Sequence, residues 1–371
     1  MKIALVHDYL KESGGAERVL STLSDMYPAA PIYTAFVDRH GTAVMMFQNR
    51  KIVESPWAWF LKIGRFYSYF RFLLPWVWGS LDLSSYDVVV TSCSGYIARG
   101  FRVGKHTKVI AYCHTPPRWL YGYTAASGNP GFWGRLYLTV FGPYVRYFDY
   151  ISAKRVNVWV ANSHEVAARI KKFYRKEATV VYPPVEVQDS RREKRDSTNP
   201  YYLVVSRLVG AKGLFETARA AGAMKRRLVV VGEVVVPSVA DGMQRVGGMY
   251  VELRGRVSDA ELSDLYAGAT AYLALAEDED FGMTVVEAMA HGVPVLARYS
   301  GGYTETVRDQ LKNQKSKIKT GVFIKDIDVK SIEEGMKKIE NTKWDREGIK
   351  KWAEQFSRPQ FERGMRKIIS L

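Results

Sequence analysis

The sequence predicts an α/β protein built from two doubly wound halves, on three observations. Short apolar runs of strand length alternate with helix-spaced segments along nearly the whole chain, the pattern of β-α units on a parallel sheet. The series restarts after a charged, Ser/Asn/Pro-bearing break at 188–200, "QDSRREKRDSTNP". At 371 residues the chain is also longer than one ordinary core, and its 47% apolar and 25% charged residues are those of a globular protein.

In the first half, "KIALVHDY" (2–9) reads as a strand and "GGAERVLSTLSDMY" (14–27) as the helix after it. "SYDVVVTSC" (85–93), "TKVIAYCH" (107–114) and "VNVWVANSH" (156–164) are further buried strands that end in polar residues. "TVVYPPVEV" (179–187) closes this half on a Pro-Pro break. The second half runs "YYLVVSRL" (201–208), "RLVVVGE" (227–233), "YVELRGRV" (250–257), "AYLALAE" (271–277), "PVLARYSGG" (294–302) and "GVFI" (321–324). The expected organisation is an N-terminal domain over 1–187, a linker over 188–200, a C-terminal domain over 201–352, and a helical segment over 353–371 returning to the N-domain. Pro359 is expected to kink or restart that last helix. Two such sheets should face a central cleft, with ligands at the carboxyl ends of the strands.

Two cysteines, Cys93 and Cys113, make no disulfide framework and lack metal-ligand spacing, so a reducing cytoplasm is the default expectation. The start, "MKIALVHDYL", does not read as a signal peptide, and no apolar run reaches transmembrane length. The formal charge is +16 and uneven: residues 1–183 hold 23 Lys+Arg against 11 Asp+Glu, residues 184–371 hold 31 against 27. A basic half implies an anionic partner: a phosphorylated substrate, an acidic membrane face or nucleic acid.

Three stretches carry chemistry. "SGGAERV" (13–19) puts Gly14 and Gly15 at a helix start, where backbone can approach a phosphate, although the spacing is not G-x-G-x-x-G and a plain turn reads equally well. "SRLVGAKG" (206–213) sets Arg207 and Lys212 after a strand, where they can neutralise a diphosphate or form a solvated basic turn. "EDEDFGMTVVEAMAHG" (277–292) places Glu279 in a loop, Gly282 at a turn and Glu287 inside the following helix. The carboxylates can grip sugar hydroxyls, or the acids can simply favour the helix dipole. Asp278-Glu279-Asp280 is literally D-x-D, a metal motif of a different architecture, and metal use is not expected here.

In combination these motifs resemble the retaining glycosyltransferases of family 4, as do "GRVSDAELSDLYAGATAYL" (255–273), "SGGYTETV" (300–307) and "AYCHTPPRWLY" (111–121). The resemblance covers nearly the whole chain. It implies the GT-B fold, two Rossmann-like domains with parallel sheets facing a central cleft. It further implies that Arg207 and Lys212 hold the leaving diphosphate, that Glu279 contacts the transferred sugar, and that the amides of Phe281, Gly282, Met283 and Thr284 assist. Glu287 would bind the ribose, the backbone of Arg256 and Val257 would border the base, Gly14 and Gly15 would close over the phosphates, and His114 would reach the sugar ring. "HTPPRWLY" resembles bacterial mannosyltransferases of polysaccharide and lipid-linked glycan assembly, so GDP-mannose is the expected donor, with a UDP-hexose as the alternative. The family's glycine-rich G-x-G-P turn is replaced by "GEVVVPS" (232–238). A non-catalytic binder of anionic lipid or nucleic acid is the rival class, and it has no need of the set Arg207, Lys212, Glu279 and Glu287.

"PWAWFLKIGRFYSYFRFLLPWVWGS" (56–80) interleaves Trp57, Trp59, Trp76 and Trp78 with Lys62, Arg65 and Arg71. It is either a core helix or an interfacial segment. The expectation is a cytoplasmic enzyme without metal or cofactor, docked on the anionic inner face of a membrane, acting on a lipid-linked or glycan acceptor and binding no nucleic acid.

Overall fold

A computed structural model of the chain describes residues 1–63, 67–123, 131–186, 199–209, 212–309 and 318–370. Arg65, Gly210 and most of the expected linker lie outside the described residues. The chain divides into two compact units: residues 1–123, 130–184 and 358–371 form one, and residues 124–129 and 185–357 form the other. Both are α/β with a parallel sheet, as the sequence predicts.

The strands of unit 1 are β1 (Ile3–His7), β2 (Ile32–Thr34), β3 (Ile52–Glu54), β4 (Val88–Cys93), β5 (Lys108–Cys113), β6 (Val158–Ala161) and β7 (Ala178–Val180), in the order β3-β2-β1-β4-β5-β6-β7. A parallel sheet covered on both faces needs apolar residues at successive positions, which is why these strands read as runs and not as alternations. The side chains still divide by face. Ala4, Val6, Val89 and Ala111 enter one core cluster, and Leu5, Val88, Val90, Ile110 and Tyr112 enter the other.

The second cluster is completed from the far end of the chain. Glu354–Phe356 is a 3-10 turn, and a new helix, Arg358–Ser370, restarts with Pro359 in its first turn, where a missing N–H costs nothing. Its Phe361, Met365, Ile368 and Ile369 recur at helical spacing and are buried on the unit 1 sheet. Arg358 donates to Asp25 (2.9 Å) and Lys108 donates to the Ile368 carbonyl (3.1 Å), fixing the helix at both ends.

Unit 2 carries β8 (Tyr201–Val205), β9 (Arg227–Val231), β10 (Val251–Gly255), β11 (Ala271–Ala274), β12 (Val295–Arg298) and β13 (Gly321–Ile324), in the order β10-β9-β8-β11-β12-β13. Helices Leu214–Ala223, Pro237–Gly247 and Val329–Glu340 cover one face through Leu214, Ala218, Met243, Ile332 and Met336.

One buried carboxylate organises the loop after β4. Asp8 accepts from the Ser94 amide (3.0 Å), the Ser94 hydroxyl (2.7 Å), the Tyr96 amide (2.9 Å) and the Ala98 amide (2.9 Å). These bonds hold Ile97 at φ +54°, a left-handed conformation that a β-branched residue adopts only under constraint. Asp8→Ala would strand several buried donors, each worth about 1–3 kcal/mol. Chemical denaturation should show a loss of at least about 3 kcal/mol, and a loss below about 1 kcal/mol would mean that the loop holds itself.

Candidate functional site

Unit 2 gathers its polar side chains at the carboxyl ends of β8, β10 and β11. After β11 the chain leaves the core through buried Leu275 and Ala276 and turns at Asp278 (φ +52°). Glu279 follows, then Phe281, which is buried against the Phe356 ring (5.5 Å between centroids). Gly282 takes φ +85°, and a Cβ there would come within 2.8 Å of the Tyr303 ring, so both conformation and space require glycine. It caps the helix Met283–Ala290, whose first turn contains no carboxylate. Glu277–Asp280 therefore sit before the helix and not within its first turn. Glu277 instead pairs with Arg298 (3.2 Å).

Lys212 lies beside Glu279, Nζ to Oε2 at 2.8 Å, with both side chains about a quarter exposed (29% and 22%). The ammonium and carboxylate expected to meet diphosphate and sugar thus meet each other. Gly213 follows at φ +65° and begins the helix Leu214–Ala223. Arg207 stands exposed just beyond β8. Arg256, just after β10, is exposed and donates to Glu233 (2.9 Å), while Val257 is half-buried.

Glu287 is buried, and the Tyr266 hydroxyl donates to its Oε2 (2.8 Å). The support continues outward. His291 stacks on Tyr266 (5.4 Å) and bonds the Glu287 carbonyl through Nδ1 (2.8 Å) and the Ser263 hydroxyl through Nε2 (2.9 Å). A carbonyl only accepts, so Nδ1 carries a proton in this contact. The Tyr272 hydroxyl donates to Thr284 Oγ1 (2.8 Å) on the first turn of the same helix. Tyr266, Tyr272, Ser263 and His291 did not stand out in the sequence. Their signal is weak, because the Tyr266–Glu287, Ser263–His291 and Tyr272–Thr284 side-chain contacts span 21, 28 and 12 residues.

The G-x-G-P departure falls on a loop with three exposed valines, Val234, Val235 and Val236, ahead of the helix Pro237–Gly247. Among the described residues, no group of three or more His, Cys, Asp or Glu side chains could hold a metal ion.

Unit 1 has its own polar cluster at the ends of β1, β4 and β5. Ser92 Oγ lies 3.0 Å from His7 Nδ1 and 2.7 Å from His114 Nε2. His7 Nε2 lies 3.4 Å from Glu17 Oε1, and Glu17 Oε2 accepts from the Gly14 amide (3.0 Å). One neutral arrangement satisfies all three side-chain contacts: His7 donates to Glu17, Ser92 donates to His7, and His114 donates to Ser92. Gly14 caps the helix Gly15–Met26, so the glycine turn and His114 belong to one connected network. His7, Glu17 and Ser92 were not expected from the sequence, and only the register of β1 on β4, which pairs His7 with Ser92, brings the first and last together. His114 has its pKa lowered from 6.5 to about 3, first by desolvation and then by His7.

A family model described as "Glycosyltransferase Family 4" matches residues 13–189, and one described as "Glycosyl transferases group 1" matches residues 186–356. No curated protein sequence matches the chain. Among solved structures, the Anabaena protein HepE in complex with UDP-glucose superposes with a TM-score of 0.70 at 15% identity, covering 100% of each chain. The lipopolysaccharide outer core galactosyltransferase WaaB gives 0.63 at 16% identity, covering 100% of this chain and 99% of that one. Sucrose-phosphate synthase from Thermosynechococcus elongatus gives 0.69 at 13% identity, covering 99% and 98%. Two Rossmann-like parallel-sheet domains with these matches define a glycosyltransferase of the GT-B fold. The chain belongs to the superfamily that joins the group 1 and family 4 glycosyltransferases.

The His114 environment gives a pH test. Its folded-state pKa lies below the unfolded value, so the unfolded chain binds the extra proton between the two. The stabilisation is therefore complete above about pH 6.5 and is lost progressively as pH falls towards 3. NMR of the His114 ring should show no titration between pH 8 and roughly pH 4.5. A midpoint near 6.5 would contradict the desolvated, neutral assignment.

Proposed function

We propose that this glycosyltransferase moves a hexose from a UDP-hexose to a hydroxyl of a lipid-linked or polysaccharide acceptor at an anionic membrane face, with retention of anomeric configuration and without a metal ion. The observation that carries the donor half is the set at the strand ends of unit 2. There the Lys212–Glu279 pair stands ahead of, and Glu287 lies within, a helix whose first turn is free of carboxylates. Such a helix start favours negative charge from a diphosphate. UDP is favoured over GDP because HepE is the neighbour seen with UDP and UDP-glucose, and WaaB is named a galactosyltransferase. GDP-mannose, the donor first expected, is the second reading and rests on the "HTPPRWLY" stretch.

In the proposed reaction the bond from the anomeric carbon to the phosphate oxygen breaks, and a bond to the acceptor oxygen forms on the same face. The acceptor's proton passes to the departing phosphate. Negative charge grows on the diphosphate as it leaves, and Lys212 and Arg207 neutralise it. Lys212 carries three donors, and those not on Glu279 turn to the phosphate, while Glu279 accepts from sugar hydroxyls. Glu287, held by Tyr266, accepts from the ribose, the amides of Phe281–Thr284 assist, and Arg256 and Val257 border the base. Gly14 and Gly15 approach the phosphates, and neutral His114 hydrogen-bonds the sugar. With the ammonium and guanidinium supplying the positive charge, Asp278 and Asp280 have no metal to hold.

Acceptor-free hydrolysis of a panel of nucleotide sugars tests this. One UDP-hexose should be preferred, and EDTA should leave the rate unchanged. Lys212→Ala should lower turnover on the order of a hundredfold, with a smaller effect on donor binding. Preference for GDP-mannose would move the donor to the second reading. Hydrolysis of none, or near wild-type turnover in Lys212→Ala, would overturn the assignment.

A further inference from the structure

The sequence put the membrane contact on residues 56–80, and the structure divides that stretch. Trp78 is fully buried with its indole N–H on the Tyr96 carbonyl (2.9 Å), and Trp57 is half-buried against the core. These two belong to the fold, Trp78 beneath the loop after β4 and Trp57 against the core cluster. Trp59 and Trp76 remain exposed.

The larger apolar surface is on a helix the sequence did not single out, Phe132–Lys154. Phe132, Trp133, Leu136, Val140, Tyr144 and Tyr147 recur every three or four residues along one face and are 41–74% exposed. The opposite face, with Val145, Asp149, Ser152 and Ala153, is buried in unit 1. Ring contacts join this helix to the 56–80 stretch: Trp76 with Tyr144 (6.1 Å), Phe72 with Phe141 (4.9 Å) and Tyr69 with Tyr137 (6.5 Å). Aromatic side chains present roughly 150–250 Å² each, so five that are more than half exposed already amount to roughly 500 Å². That is as large as the largest apolar patch of an ordinary monomer.

Within the two segments the charges are positive apart from Asp149, and Lys62 pairs with Glu54 (2.6 Å) just ahead of the first. Residues 56–80 contain no Asp or Glu, and residues 131–155 contain only Asp149, which is fully buried and paired with Arg99. Arg135, Arg146, Lys154 and Arg155 are all exposed. The Arg71 guanidinium lies over Trp119 (4.8 Å). A second copy meeting this face about a two-fold axis would set cations against cations. A single nucleic-acid strand calls for a basic groove with stacking platforms, whereas these rings stand out from a helix. Nor can the helix cross a bilayer, since no helix among the described residues is long and apolar enough.

We propose that the exposed face of Phe132–Lys154, with Trp59, Tyr69 and Trp76, is the docking surface for an anionic lipid bilayer, the helix lying flat in the headgroup layer with its aromatic side chains inserted. This rests on the membrane association proposed above and gives it a place and an orientation. At about 1.5 Å per residue the exposed face from Phe132 to Tyr147 offers a line of contact about 23 Å long. The aromatic rings supply an apolar attraction that salt does not screen, and the flanking cations one that it does.

The test uses the full chain and phosphatidylcholine vesicles with or without phosphatidylglycerol, read by flotation. The wild type should float with the anionic vesicles, more weakly but still measurably at high salt, and poorly with the neutral ones. The double variant Phe132→Ser/Trp133→Ser should lose tenfold or more of its partitioning. Arg135→Glu should lose binding mainly at low salt. All three substitutions are at exposed positions, so thermal melting and donor hydrolysis should match wild type. Full binding by the double variant would overturn the placement while leaving membrane association standing. No binding by the wild type would overturn both. A wild-type dimer by light scattering that the double variant converts to monomer would show the face to be a self-contact and overturn the proposal.

Discussion

A parallel sheet buried on both faces leaves only the ends of its strands for polar chemistry, and this constraint shapes both units. β4 is buried along its whole length, and β1 and β5 nearly so, yet each has a polar group at or beside its last residue: Ser92 before Cys93, His7, and His114 after Cys113. The same holds in unit 2, where Arg207, Arg256 and Glu279 follow β8, β10 and β11. The core does more than hold these groups up. It sets their protonation, because burial keeps His114 neutral, and it sets their conformation, because Tyr303 packed against Gly282 fixes where the helix Met283–Ala290 begins. Apolar packing and site chemistry are thus one problem solved at the strand ends.

Charge follows the same division between core and edge. The excess of cations in the first half of the chain is a bulk number that does not say where they point. In the structure Arg99 is drawn inside to Asp149, with the Tyr121 and Tyr174 hydroxyls also on that carboxylate, and its guanidinium stacks near Trp159 and Tyr174. Burial pushes the Asp149 carboxyl up, against the pull of Arg99. This cluster anchors the inner face of Phe132–Lys154. Arg135, Arg146, Lys154 and Arg155 stay outside, on the same helix as the exposed aromatic residues.

The parts legible in the sequence were those carried by local pattern. All six strands of unit 2 announce themselves as apolar runs, and the turn at Gly282 is marked by its neighbours. β2 and β3 were not legible, because three-residue strands are too short to show a period. Phe132–Lys154 was missed because Gly142 and Pro143 interrupt it and because exposed aromatics mask its amphipathic pattern. Of the site, the residues expected to act could be singled out within motifs, while those that orient them could not, although Ser263, Tyr266, Tyr272 and His291 lie in the same quoted stretches. Tyr266 and Ser92 reach Glu287 and His114 only through tertiary contact.

The central claim is that the Lys212–Glu279 pair is a donor site in its resting form, each member reserved for a different part of the nucleotide sugar. Calorimetric titration of wild type and Glu279→Gln with UDP and with the preferred UDP-hexose tests it most directly. Releasing Lys212 should leave UDP affinity unchanged or raised, while losing the charged acceptor for the sugar should weaken the UDP-hexose by roughly 1.5–3 kcal/mol. Equal weakening of both ligands would show Glu279 to be a structural partner of Lys212 and would contradict the account.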